Sequence, residues 1–294
     1  MSYQLEEVQI ELSGICNATC VYCTWQKRTV GKQHMEKLLA LRLLDEAKEL
    51  GVQRIRYHGL GESTMHPDLI EIMNRGEELG FDHSISTNCY KLKDELATEV
   101  AKLKNLSLIL AIPWVMHDRF VDVCVNNVLD YLCLSSENRK VHIQMVCHEN
   151  AKGHYRRCVD TFLTYVERRE NAFLHLKQPV TWPNDTPNTG FFDAELAAHP
   201  KVIYDDRATP LSISKGCNMP ERFLMVLADG TVVPCCVGMD EWGLGSVAER
   251  PLREVWESSE MERVRELWRS ADDSIPCGHC KKRTDCITET NHAV

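Results

Sequence analysis

The chain has 294 residues, with 34 Lys and Arg against 43 Asp and Glu for a net charge of −9. That length can bury a barrel-sized core plus a smaller appendage, and the acidic balance argues against a broad nucleic-acid footprint, which would be basic. No apolar run is long enough to span a bilayer, and no basic segment leads into an apolar one at the N-terminus, so a cytoplasmic chain with no membrane association is expected. Fourteen cysteines in a leaderless chain of this size point to metal sites rather than a disulfide framework.

In chain order, Val8-Gln-Ile-Glu-Leu12 alternates apolar and polar as a half-buried strand does, and Gly14 breaks it. Cys16-Asn-Ala-Thr-Cys20-Val-Tyr-Cys23 follows, placing three thiolates within one short loop. Spacing alone leaves two readings open: an iron–sulfur cluster short of its usual fourth cysteine, or three sides of a zinc site. Positions 34–50 carry Leu38, Leu41, Leu44 and Ala47 at helical spacing up to Gly51, and a second strand, Arg54–Tyr57, runs into His58-Gly59-Leu60-Gly61-Glu62. A helix from Pro67 to Gly80 precedes the strand Asp82–Thr87, which ends in Asn88-Cys89. The pattern continues as helix Lys91–Leu103, strand Leu106–Ile112, helix Phe120–Leu134, strand Val141–Val146, helix Tyr155–Arg168 and strand Phe173–Lys177. Such alternation predicts a parallel sheet or barrel. Cys124, Cys133 and Cys158 fall in helices and read as core. Positions 178–210, rich in Pro, Asn and Thr, read as irregular connection, with Trp182–Gly190 able to line the mouth.

A second cysteine system begins at Cys217. Phe223–Ala228 and Thr231–Val233 flank Asp229-Gly230, a hairpin signal that leads to Cys235, and Cys277-Gly-His-Cys280 adds two further thiols. Cys217, Cys235, Cys277 and Cys280 form a set of four, with Cys286 spare or competing with Cys280.

These motifs resemble the radical S-adenosylmethionine (SAM) superfamily: three clustered cysteines after the first strand, and a Gly-Gly-Glu-Pro-like turn, here Gly59-Leu-Gly-Glu-Ser63, after the second. Met116-His-Asp-Arg-Phe120, the Cys217–Cys235 spacing, Gly243-Leu-Gly-Ser-Val247 and Leu252–Trp256 resemble the branch with a C-terminal SPASM or twitch domain. The resemblance implies an α/β fold, a partial (β/α)6 TIM barrel over 1–210 with a small cysteine-rich domain over 211–294. It also implies a [4Fe–4S] cluster on Cys16, Cys20 and Cys23 that binds SAM through its open iron, and one auxiliary [4Fe–4S] cluster on the second cysteine set. By the same resemblance, Tyr22 lies beside the adenine, Gly59, Gly61 and Glu62 hold the methionyl end, and Ser86, Asn88 and Gln144 are SAM contacts. Cys89 stands where the family often has glycine.

The implied activity is hydrogen abstraction by a 5′-deoxyadenosyl radical, sustained by a low-potential donor such as flavodoxin or ferredoxin. Reactive groups in such barrels gather at the C-terminal ends of strands. That rule nominates His58 as a base and Lys177 as a substrate contact. Cys236, beside Cys235, is a candidate hydrogen-atom donor, and Cys147 a weaker one. Strand one starts near Val8, leaving no room for an N-terminal leader-binding domain. The expected substrate is therefore a polar small molecule (a sugar, an aminocyclitol or a similar biosynthetic intermediate) undergoing oxidation or epimerisation, with peptide modification as the alternative. Anaerobic reconstitution is expected to give about eight iron and eight sulfide per chain. About four of each, with zinc retained, would make the second cysteine set a zinc site.

Overall fold

The computed structural model describes residues 3–29, 31–136, 139–148, 152–179, 190–191, 193–205, 219–236 and 243–270, with only the backbone described at 152–154 and 205. Seven strands follow one another in parallel: β1 (Glu7–Ile10), β2 (Arg54–Tyr57), β3 (Asp82–Thr87), β4 (Leu106–Ala111), β5 (Val141–Val146), β6 (Ala172–Lys177) and β7 (Val202–Asp205). The first six are joined through α1 (Lys37–Glu49), α2 (Leu69–Glu78), α3 (Asp94–Lys102), α4 (Asp118–Leu134) and α5 (Lys152–Val166). This is the expected partial barrel.

Each strand splits its side chains between two environments, because successive residues point to opposite faces. Val8, Ile10, Ile55, Ile85, Leu108, Leu110, Val141, Ile143, Leu174 and Leu176 are buried in the main core, in the layer between the sheet and its helices. The alternate residues face inward and are largely polar. Register aligns Gln9, Arg56, Ser84 and Ser107 in one row, and Ala111, Gln144 and His175 in another. At the N-terminal end of this inner face, Glu7 binds Arg56 Nε at 2.7 Å and Arg54 Nη1 at 3.0 Å. The pairing neutralises a nearly buried carboxylate.

Four features differ from the sequence expectation. The stripe of α1 that packs inward is Ala40, Leu43, Leu44 and Ala47, whereas Leu38 is 77% exposed. Leu38 and the half-buried Leu41 flank that stripe instead of forming it. In α4, Cys124 is buried as expected but Cys133 is exposed. The stretch read as irregular contains a short helix, α6 (Ala194–Ala197), and the edge strand β7, whose four residues are too few for alternation to register. The hairpin of β8 (Phe223–Val226) and β9 (Val232–Val233), turned at Gly230 with φ +87°, forms as expected. It does not stand apart, however: β8 pairs in parallel with β1, Glu7 opposite Phe223 through Ile10 opposite Val226, so the sheet order runs β7-β6-β5-β4-β3-β2-β1-β8-β9.

Beyond the short helices α7 (Met219–Arg222) and α8 (Leu252–Trp256) lies α9 (Ser259–Arg269), a helix whose sequence is mostly charged. Its docking rests on Met261, Val264 and a buried Arg265. The Arg265 guanidinium lies 4.2 Å from the Trp256 ring centroid and 4.7 Å from that of Tyr3, and donates to the Pro220 and Trp256 carbonyls. Because β8 and the first strand share one ladder, Leu224→Ala is expected to destabilise the whole chain by about 2–5 kcal/mol. Calorimetry should show one transition moving down; an early separate transition for the C-terminal region would contradict the shared ladder.

Candidate active site

The cysteine loop leaves β1 through Ser13 and Gly14. It is clamped by Trp25, whose indole N–H donates to the Gly14 carbonyl at 2.8 Å. Cys16, Cys20 and Cys23 are all partly exposed. The Ala18 N–H points at Cys16 Sγ (3.4 Å), and the Trp25 N–H caps Cys23 Sγ (3.5 Å) at the start of a 3-10 turn, Thr24–Lys27. Burial pushes the Cys16 thiol up to about 11 and the Cys20 thiol to about 12, with the neighbouring thiols adding to the rise, and it raises Cys23 as well. Without a metal these groups hold their protons at neutral pH, so cluster loading must release them. Three sulfur donors on one loop, two of them met by backbone N–H groups, suit an iron–sulfur cluster, whose sulfurs are tuned by such bonds. The Tyr22 hydroxyl bonds Cys20, and its ring lies 6.1 Å from the His148 ring. Desolvation and the Cys20 charge hold this phenol well above its usual range.

The glycine turn is pressed against this loop. A Cβ on Gly61 would fall 1.9 Å from the Ser13 carbonyl oxygen, and one on Gly59 would fall 2.4 Å from Glu11 Oε1, so neither position admits a side chain without displacement. The Glu62 N–H donates to the Ile15 carbonyl at 2.8 Å. The Glu62 carboxylate accepts from the Thr64 N–H (3.0 Å) and, through its other oxygen, from the Asn88 N–H (2.7 Å) at the end of β3. Burial raises the Glu62 pKa, and these hydrogen bonds oppose the rise. Asn88 continues the connection, donating from Nδ2 to Asn17 Oδ1 at 2.7 Å within the cysteine loop. Cys89 is buried with φ +68°, the left-handed conformation that a glycine would supply.

The remaining sequence candidates fall into three groups. His58, Ser86, Gln144 and Lys177 lie on the inner face at or near the C-terminal ends of β2, β3, β5 and β6, and all are half-buried. Cys236 packs against a second apolar cluster of Phe223, Met225, Leu227 and Val233, together with Leu60 of the glycine turn. Cys235 is also partly exposed. Cys147, by contrast, is fully buried in the main core against Tyr155, on the face away from the barrel interior, which removes it as a donor. Cys217, Cys277, Cys280, Cys286 and most of Trp182–Gly190 lie outside the described residues.

Sequence reasoning missed Glu11. Its fully buried carboxylate receives Arg28 Nη1 at 2.7 Å on both oxygens, the Leu60 N–H at 2.9 Å, and the Ala228 N–H at 3.3 Å. One side chain thus ties together the cysteine loop, the glycine turn and the chain just beyond β8. The signal available was a lone acidic residue at the last alternating position before a metal-type loop, which alternation alone assigns to solvent.

The sequence profile of the radical SAM superfamily matches residues 10–113, and that of the SPASM iron–sulfur cluster-binding domain matches residues 217–282. The chain thus carries a radical SAM domain and a C-terminal SPASM domain. Its matched domains imply SAM, the cluster that binds it, and auxiliary iron–sulfur chemistry. Among curated relatives, the tungsten-containing aldehyde ferredoxin oxidoreductase cofactor-modifying protein of Pyrococcus furiosus is 31% identical over 100 residues, 34% of this chain and 28% of that protein. A probable GTP 3′,8-cyclase of Saccharolobus islandicus is 33% identical over 91 residues, 31% of this chain and 29% of the relative. The chain therefore spans less than a third of the length of either relative in the matched region.

Solved structures share the fold, two of them being the following. SuiB of Streptococcus suis bound to S-adenosylmethionine superposes with TM-score 0.68 at 17% identity, over 90% of this chain and 68% of that one. BtrN in complex with AdoMet and 2-DOIA gives 0.56 at 16%, over 97% and 94%.

Removing the Glu11 carboxylate strands a buried guanidinium, so Glu11→Ala is expected to cost about 3–5 kcal/mol, and Glu11→Gln less. Denaturant unfolding measures this, and equal small losses for both variants would remove Glu11 as the tie.

Proposed function

We propose that this chain is a radical SAM enzyme that abstracts hydrogen from a polar small molecule, a sugar, aminocyclitol or similar biosynthetic intermediate, leading to oxidation or epimerisation. The observation that carries this reading is the inner face from β3 to β6, where Ser84, Ser86, Ser107, Gln144, His175 and Lys177 are half-buried polar groups along adjacent strands. Hydroxyl-rich substrates satisfy such a surface, whereas an apolar side chain would leave it unpaired. Bound SAM and its reduced cluster supply the hydrogen-abstracting radical.

The protein's own part is placement. Cys16, Cys20 and Cys23 hold the SAM-binding cluster. Tyr22, Gly59, Gly61, Glu62, Ser86, Asn88 and Gln144 border the SAM position. His58 takes a substrate hydroxyl proton in an oxidation, whose remaining electron the auxiliary cluster would accept; Lys177 faces the substrate, and Cys236, beside Leu60, returns a hydrogen atom in an epimerisation. Residues 1–210 form the barrel unit, and 211–294 the auxiliary-cluster unit, with Cys217, Cys235, Cys277 and either Cys280 or Cys286 as ligands. The reductant is a low-potential donor of the flavodoxin or ferredoxin kind. A cytoplasmic setting suits this chemistry, and no helix among the described residues is long and apolar enough to cross a membrane.

The joint replacement of Cys16, Cys20 and Cys23 by Ala is expected to abolish 5′-deoxyadenosine formation while retaining about four auxiliary irons. Cys236→Ala is expected to stop product formation while substrate-dependent SAM cleavage continues; normal turnover by that variant would exclude it as the donor. Stimulation of SAM cleavage by a peptide, with no response to polyhydroxylated rings, would replace the small-molecule reading with peptide modification.

A further inference from the structure

The stretch Met116-His-Asp-Arg-Phe120 leads into α4 and meets the cofactor site from the outer helix layer. Met116 Sδ lies 3.8 Å from the Thr19 hydroxyl of the cysteine loop, and His117 caps the helix, its Nδ1 accepting from the Phe120 N–H at 3.3 Å. The Phe120 ring stacks on Tyr90, with centroids 4.4 Å apart and planes inclined by 23°. Two helical turns further along the same buried face stands Asn127, only 7% exposed. Its Nδ2 donates to two carbonyls at once, those of Cys89 and Tyr90, each at 2.9 Å.

Asparagine is a poor helix former, and a buried amide costs stability unless it finds partners. A leucine at this position would carry neither penalty. What the amide supplies is a hold on the backbone just past β3, where Cys89 sits at φ +68°. Asn88 immediately precedes the two held carbonyls. Its N–H donates to Glu62 Oε2 at 2.7 Å, and its Nδ2 donates to Asn17 Oδ1 at 2.7 Å while lying 4.0 Å from Cys16 Sγ. Any residue with a Cβ disfavours the left-handed region. Without the Asn127 amide, Cys89 is therefore released toward ordinary backbone angles, and the turn that aims Asn88 at Glu62 and Asn17 loses its anchor on α4.

We propose that Asn127, assisted by the Phe120–Tyr90 stack, is a positioning residue for SAM binding. It holds the turn that places Asn88 between the Glu62 carboxylate and the cysteine loop. The inference rests on the reading above in which Asn88 and Glu62 border the SAM position, and it makes SAM affinity depend on a helix behind that border.

The test uses the reconstituted full chain. The dissociation constant for SAM is read from the change SAM produces in the electron paramagnetic resonance spectrum of the reduced cluster, alongside iron content and thermal unfolding. Asn127→Ala is expected to raise that constant about tenfold with iron content unchanged, because only molecules with the turn in place bind SAM. Leu132→Val, which trims a fully buried side chain further along α4, controls for lost stability; it is expected to lower the melting temperature and leave the constant unchanged. A lower melting temperature for Asn127→Ala with SAM affinity intact would mark Asn127 as structural and overturn the inference, as would an equal loss of affinity in Leu132→Val. Asn88→Ala separates the inference from the reading beneath it. If that variant binds SAM as the unmodified protein does, the placement of Asn88 beside SAM fails and takes the inference with it. If it weakens binding and Asn127→Ala does not, the inference alone fails. Should Asn127→Ala not fold, Phe120→Leu, which removes the stacked ring, is measured in its place, and unchanged SAM affinity in that variant overturns the inference.

Discussion

The Glu11 carboxylate is the interaction on which the rest of the site depends. A fully buried charge is tolerated only when paired and hydrogen-bonded, and Glu11 meets both conditions with groups from three separate parts of the chain. Arg28 supplies the opposite charge from beyond the cysteine loop. The Leu60 N–H comes from the turn after β2, and the Ala228 N–H from the end of the C-terminal hairpin strand. Arg28 itself keeps two nitrogens unpaired, and the backbone of Gly31, at φ +68°, passes so close that a Cβ there would approach Nη2 to 2.6 Å. The pair therefore adds little net stability, as buried ion pairs generally do; what it provides is a single arrangement of the three segments. Any shift of the hairpin changes the hydrogen bonding of the carboxylate that also positions the glycine turn.

The sheet extends the same logic. Placing β8 in parallel beside β1 makes the first strand an interior one, buried on both faces, and its polar residues survive there only through specific partners. Glu7 is held by Arg54 and Arg56, Gln9 by Met225 Sδ at 3.4 Å, and Glu11 by Arg28. Further round the barrel, from β3 to β6, the inner-face polar groups are half-exposed instead, apart from His142. The inner face thus divides into a region closed by its own charge pairs and a region whose polar groups face an interior open to other molecules. Ser84, Ser86, Gln144, His175 and Lys177 belong to the second.

Much of this was legible from local pattern. The strand–helix alternation, the three-cysteine loop, the glycine turn and the Asp229-Gly230 hairpin are all encoded by neighbours in sequence, and the structure forms each where expected. The departures are those set by long-range contact. Leu38 sits at helical spacing inside α1 but off the stripe of Ala40, Leu43, Leu44 and Ala47 that packs inward, so it faces solvent. Helix α9 was not among the expected elements; its key contact is an arginine against two aromatic rings, and periodicity counts arginine as a surface residue. The β1–β8 pairing joins residues more than two hundred positions apart, and no alternation within either strand specifies its neighbour. Glu11 was overlooked because, in an alternating strand, a polar residue is assigned to water, whereas inside a barrel the face opposite the core is not necessarily wet.

Cys89 shows how tightly the site's geometry is specified. The chain must reverse direction straight after β3 so that the Asn88 N–H meets Glu62 while the Asn88 side chain reaches Asn17 in the cysteine loop. That reversal needs a left-handed residue at position 89. A residue bearing a Cβ is strained there by about 1–2 kcal/mol relative to glycine. The local structure offsets the strain: the Cys89 N–H donates to Thr87 Oγ1 at 3.0 Å, its thiol donates to the Thr87 carbonyl at 3.3 Å, and Asn127 Nδ2 holds its carbonyl at 2.9 Å. With the backbone pinned on both sides, the cysteine can adopt the conformation glycine would adopt freely, and its side chain is fully buried. The thiol is spent on packing and on its own backbone, so its position beside the cofactor site reflects the turn it stabilises rather than a part in the chemistry.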